Sequence, residues 1–169
     1  QRALEADPTS EQTWIYLLQL YYQVPENRPR LEQVASLLES YRAAPELRLG
    51  VLGSVSEIYL RLRDFPNAFR YAQMTIALLQ ENPGVIDEAE QWRNLYTQTA
   101  QVALQGAPAG QAVETAVGYL QQAYRACERY DLSKIPVSRT VLGLAGQPEF
   151  LNRASAEQIA IFHRFALDA

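Results

Sequence analysis

Few residues in this chain have the type and spacing to do chemistry. The single histidine, His163, has Glu157 and Asp168 at roughly helical distance on either side. Such a set could move a proton, but no nucleophile accompanies it in the pattern. His163 is therefore expected on a solvent-facing turn of a terminal helix. The one cysteine, Cys127, rules out an internal disulfide or a thiolate metal cluster. Lying on an apolar stripe, it is expected to be a small core residue. Gly143-x-x-Gly146 follows no strand pattern and precedes no lysine, so it is no phosphate loop. These residues imply no catalysis, no bound metal and no cofactor.

What remains is a question of architecture and surface. At 169 residues the chain suits one compact domain or one short repeat array. No apolar run approaches the roughly 20 residues a spanning helix requires, so no membrane insertion is expected. Fifteen Lys and Arg against nineteen Asp and Glu give a net charge of −4, and no basic cluster interrupts this balance. A nucleic-acid partner is not expected on that account. The chain opens on Gln1 without a basic-then-apolar leader. Residues Gln1 to Pro8 read as the end of a preceding unit, so a segment of a longer protein is expected, its compartment unknown.

The periodicity is helical almost throughout. Trp14, Leu17, Leu18, Tyr21 and Tyr22 recur at three-and-four spacing in a first helix over 9–23, with Thr9 and Gln12 as its capping pair. Proline at positions 25 and 29 breaks it. A second helix is predicted over 30–43, carrying Leu31, Val34, Leu38 and Tyr41 inward. A third covers 48–61, with Leu52, Val55, Ile58, Tyr59 and Leu62 inward. Asp64 caps a fourth that runs to about Gln80, with Pro66 in its first turn. A fifth spans about Ile86 to Leu104, with Trp92, Leu95, Tyr96 and Thr99 on one side. After the loop Gly106 to Gly110, a sixth runs from Gln111 to Arg129. The stretch Asp131 to Pro148 shows no sustained period, a short turn is possible at Glu149 to Asn152, and a last helix covers 156–167, opened by Ser155 and Gln158. No convincing strand appears.

Two stretches repeat a pattern. Trp14-x-x-Leu17-Leu18-x-x-Tyr21 is matched by Leu52-x-x-Val55-Ser56-x-x-Tyr59, the latter followed by Ala68 and Ala72 after the turn Asp64-Phe65-Pro66-Asn67. A third copy at Trp92-x-x-Leu95-Tyr96 lacks the small residue. The chain resembles the tetratricopeptide-repeat family over Arg2 to Ala77, and more loosely over Asp87 to Arg129. The resemblance implies an all-α, superhelical array of antiparallel helix pairs at about 10–43, 48–80 and 86–129, forming one repeat region over 1–130. An irregular segment and a C-terminal capping helix would complete it over 131–169. Arg63 stands where the family usually has glycine.

The family binds a protein or peptide partner on the concave face, lined by the first helix of each pair. Transferred by phase, that face takes Gln12, Ile15, Gln19, Tyr22 and Gln23 from the first such helix. The second contributes Gly50, Gly53, Glu57, Leu60 and Arg61, and the third Glu90, Arg93, Thr97 and Gln101. Arg61 and Arg93 could fork a partner carboxylate, and the two glycines leave room for a backbone to approach. The family's clamp for a terminal carboxylate is not carried over, because its slots hold Ile15, Gln19 and Tyr22. The implied role is a non-catalytic interaction module, an adaptor or sensor segment. The alternatives are self-association through the C-terminal helix, a closed helical bundle, or a small-ligand-binding or enzymatic domain. The ten tyrosines are expected mainly at half-buried joints between helices.

Overall fold

The computed structural model describes residues 2–85 and 89–167, and among these every regular element is a helix. In chain order they are α1 (Arg2–Ala6), α2 (Glu11–Gln23), a 3-10 segment (Pro25–Gln33), α3 (Val34–Ser40) and α4 (Pro45–Arg61). Then follow α5 (Phe65–Glu81), α6 (Ala89–Gly106), α7 (Ala112–Tyr130), α8 (Ile135–Ala145), α9 (Pro148–Leu151) and α10 (Ala156–Leu167). The expected start of the fifth helix at Ile86 and the expected partner Asp168 lie outside the described residues.

Neighbours in sequence are neighbours in space. The 3-10 segment folds back on α2, α4 packs on α5, α6 on α7, and α8 on α10. Successive pairs also touch, through α2 with α4, α5 with α6, α6 with α8 and α7 with α10. One continuous core runs through them, from Leu4 and Trp14 to Phe162 and Phe165.

The residues explain the joints. Trp14 is fully buried; its indole N–H donates to the Pro8 carbonyl at 3.0 Å and its ring meets Tyr41 edge-on. Burying an indole demands such a partner for its one donor. Between α4 and α5, Ser56 occupies the slot that needs a small residue, and its hydroxyl donates to the Ala68 carbonyl at 2.8 Å. Tyr59 and Tyr71 stack one turn further on, with centroids 5.6 Å apart. The Tyr71 hydroxyl donates to the Leu31 carbonyl at 3.0 Å, tying α5 to the end of the 3-10 segment. Burial raises the pKa of both phenols, as it does that of Tyr21, because the ionised form would lose its hydration. The α6–α7 joint is made close by the fully buried Ala100, Ala103, Ala116 and Ala123.

The ends of the helices follow local chemistry. The Asp64 carboxylate accepts from the Asn67 N–H at 3.2 Å and from the Asn67 amide at 2.8 Å, as an N-cap should. Ser155 and Gln158 form a reciprocal capping box at 3.2 and 2.8 Å. At α2 the cap is Ser10, which accepts from Thr13 N–H, while Thr9 bonds to Asp7. The expected pair Thr9 and Gln12 is thus displaced by one residue. Three helices end on a left-handed residue that is not glycine: Arg42, Arg63 and Asp131. At Arg63 the Asp64 N–H reaches the Tyr59 carbonyl and the Arg63 N–H the Leu60 carbonyl, both at 3.0 Å. This is the paired-bond cap that favours glycine, here closed over a side chain.

Two expectations about elements are corrected. The second helix is not α-helical from Arg30; a 3-10 segment occupies 25–33, with Pro29 inside it, before α3 begins. Pro29 lacks the N–H an α-helix would use, and the tighter winding accommodates it. The stretch Asp131 to Pro148 is not irregular: it holds α8, with Pro136 in its first turn. The tail helix α10 lies against α8 and α7; Phe165 stacks on Tyr124 of α7 at 4.7 Å and Phe162 on Phe150 of α9 at 4.2 Å. Tyr21, Tyr59, Tyr71, Tyr96 and Tyr124 are buried and Tyr22, Tyr41 and Tyr119 half-buried at joints; Tyr16 and Tyr130 are exposed.

Candidate functional site

A groove of about 550 Å³ runs between α4 and α6, above α5. Its α4 wall carries Gly50, Gly53, Glu57 and Leu60; its floor is Ala72 and Thr75 of α5; its α6 wall carries Asn94, Leu95, Gln98 and Gln101. The floor residues are small, which is why α5 can lie beneath without filling the space. At Gly50 and at Gly53 an added Cβ would meet no heavy atom within 4 Å. Neither glycine is therefore required by packing within the chain, although each costs its helix about 1 kcal/mol relative to alanine.

The groove continues at both ends. Ile15 of α2, with Gly50 and Ser54, lines a cleft of about 300 Å³ between α2 and α4. Leu60 and Gln101, with Arg139 and Thr140, line another of about 370 Å³ toward α8. Gly50, Ser54, Leu60 and Gln101 each border two of these spaces, so a ligand could pass across α2, α4, α6 and α8 in turn.

The expected face is only partly assembled. Gly50, Gly53, Glu57, Leu60 and Gln101 come together in the groove, and Ile15 in its extension. Gln12, Gln19 and Gln23 are exposed on α2 and Tyr22 is half-buried; none of the four lines either space. Arg61 is exposed but engaged, its guanidinium 2.6 Å from Glu57 one turn back. That hydrogen bond and the charge of Glu57 raise the Arg61 pKa further. Glu90 is exposed and faces Arg93 at 3.8 Å, away from the groove.

Arg93 and Thr97 are corrections: both are buried, not solvent-facing. Arg93 donates to the Asn94 side-chain oxygen at 3.1 and 3.2 Å and to the Ser133 carbonyl, just before α8, at 3.3 Å. The Thr97 hydroxyl bonds back to the Arg93 carbonyl at 2.6 Å. The cause is α8, which covers the face of α6 that a formless tail would have left open. The groove face of α6 is therefore turned by one residue, about 100° around the helix. Sequence reasoning missed Asn94, Leu95 and Gln98 for this reason. A signal for them exists in the carboxamides at Gln91, Asn94, Gln98, Gln101 and Gln105, which follow three-and-four spacing along α6.

The candidates for chemistry do not assemble. Cys127 is buried, its thiol donates toward the Ser133 carbonyl at 3.5 Å, and burial raises its pKa, so the reactive thiolate is disfavoured. His163 is exposed on α10. Among the described residues, no group of three or more His, Cys, Asp or Glu side chains is placed to hold a metal ion. Nor is any helix there long and apolar enough to cross a membrane. Comparison with known proteins gives no match: no family model fits the chain, and no curated protein or solved structure is significantly similar to it.

Proposed function

We propose that this chain is a non-catalytic interaction module of the tetratricopeptide-repeat kind, its helix pairs stacked as a superhelical array that holds an extended peptide in the α4–α6 groove. The observation that carries this reading is the pair of open glycines. Gly50 and Gly53 weaken the middle of α4, contact nothing that requires their smallness, and lie beside a wall of carboxamides. Carboxamides both donate and accept, as a peptide backbone does. An adaptor or sensor segment of a larger protein fits this arrangement.

Self-association through the C-terminal helix is the weaker alternative, because Phe162 and Phe165 are already buried within the chain, stacked on Phe150 of α9 and Tyr124 of α7.

Selection of binders from a random peptide library, mapped by amide shift changes, tests the proposal. Binders should perturb Gly50, Gly53, Gln98 and Gln101. Gly53→Gln should abolish their binding while the melting temperature holds or rises. Binders that map elsewhere, or that tolerate Gly53→Gln, would overturn the assignment.

A further inference from the structure

A second cleft, of about 650 Å³, opens between α6 and α7 beside the end of α5, and it differs in chemistry from the groove. One wall is aromatic. Trp92 and Tyr96 of α6 lie one turn apart with ring centroids 5.8 Å from each other, and the small Ala89 precedes them at the mouth. The facing wall is basic: Arg125 and Arg129 stand one turn apart on α7, with Arg129 5.3 Å over the ring of Tyr130. Both arginines are exposed, and none of the described lining residues is acidic. Asp87 and Glu88, in the linker between Pro83 and Ala89, lie outside the described residues. In a chain of net charge −4, two guanidinia without a carboxylate among their described neighbours in the cleft form a local positive site.

The arrangement selects a ligand with two features. The half-buried Trp92, backed by Tyr96, which is itself buried and stacked on Tyr119, offers an indole on which a planar group can stack, and the guanidinia offer forked donors to an anion at its edge. Two such forks, one turn apart, match the roughly −1.5 to −2 charge and several oxygens of a phosphate monoester better than a carboxylate. The volume falls within the roughly 300–1,000 Å³ of small-molecule sites. We infer that this cleft binds an aromatic phosphate monoester, the ring against Trp92 and the phosphate between Arg125 and Arg129. The ring could belong to an aryl phosphate or to a nucleobase, and the two are separated by experiment. The site is independent of the α4–α6 groove.

The chain holds two tryptophans, which makes the test specific. Trp14 is fully buried with its N–H on Pro8, so its indole cross-peak serves as an internal reference, while Trp92 reports the cleft. The intact chain would be titrated with phenyl phosphate, AMP, adenosine and inorganic phosphate while both indole N–H signals are followed. Phenyl phosphate, AMP or both should move the Trp92 signal and leave Trp14 still; whichever binds tighter assigns the ring. Adenosine and inorganic phosphate should bind at least about tenfold more weakly, each lacking one half of the ligand. Arg125→Ala with Arg129→Ala should weaken binding by about tenfold or more without unfolding the chain, since both side chains are exposed. The inference is overturned if neither aromatic phosphate moves Trp92, if inorganic phosphate alone binds as well, or if the double variant binds unchanged.

Discussion

Arg93 and Arg61 have the same side chain and are both expected, by the repeat pattern, on the partner-binding face, yet their surroundings differ. Arg61 is held in water by one exposed carboxylate, an ion pair worth little because solvent screens it and its flexible side chain loses freedom. Arg93 is buried and bridges α6 to the linker before α8, donating to the Ser133 carbonyl that the Cys127 thiol also approaches. Arg93→Ala should therefore lower stability by about 2 kcal/mol, the scale of a hydrogen bond to a charged group. Arg61→Ala should change it by less than about 0.5 kcal/mol. Urea unfolding midpoints at constant slope would decide. Equal losses from both would mean that Arg93 is not the strut the structure makes it.

At the scale of elements, close approaches matter more than composition. Gly106 closes α6 where it meets the start of α5: a Cβ there would lie 2.2 Å from the Phe65 carbonyl oxygen and 2.7 Å from the Phe69 Cβ. Backbone cannot yield as a side-chain tip can, so Gly106→Ala should cost about 1–3 kcal/mol through displaced packing. Gly110→Ala, where nothing lies within 4 Å, should cost almost nothing, and thermal denaturation of the two variants gives the comparison. A neutral Gly106→Ala would show that α5 and α6 meet less closely. Gly106 reads from sequence as part of a loop, because contact with an element forty residues away leaves no local trace. Local signals were legible: Asp64 and the pair Ser155 and Gln158 mark their helices, and α10 begins and ends where its period does. Helix α8 carries a short apolar stripe, Val137, Val141 and Leu144, but it is set among Pro136, Gly143, Gly146 and Pro148, which read as a broken segment. Ser138 and Thr140 are buried there, Ser138 donating to the Phe165 carbonyl at 2.6 Å and Thr140 to that of Pro136 at 3.1 Å. Polar residues satisfied by backbone carbonyls widen the buried face beyond that stripe, so apolar periodicity alone understates it. The misplaced face of α6 followed from that one omission.

For the whole molecule, the array reading has a thermodynamic consequence. If each helix pair is stabilised mainly by the next, a local weakening should be felt locally, whereas a closed bundle would share it. The Tyr71 hydroxyl is a suitable place to cut, being the long-range bond that ties α5 to the Leu31 carbonyl at the N-terminal pair. Tyr71→Phe keeps the ring and its stack on Tyr59 and removes that one bond, a change of about 1 kcal/mol. Hydrogen exchange should then quicken about fivefold in α2, the 3-10 segment and α3, while amides of α7 and α8 keep their protection. The loss should fade across α6, which lies between the two ends and packs on α5, α7 and α8. Uniform acceleration from α2 to α10 would mean that the chain opens as one cooperative body, and the stacked-pair reading, with the open groove it implies, would have to be given up.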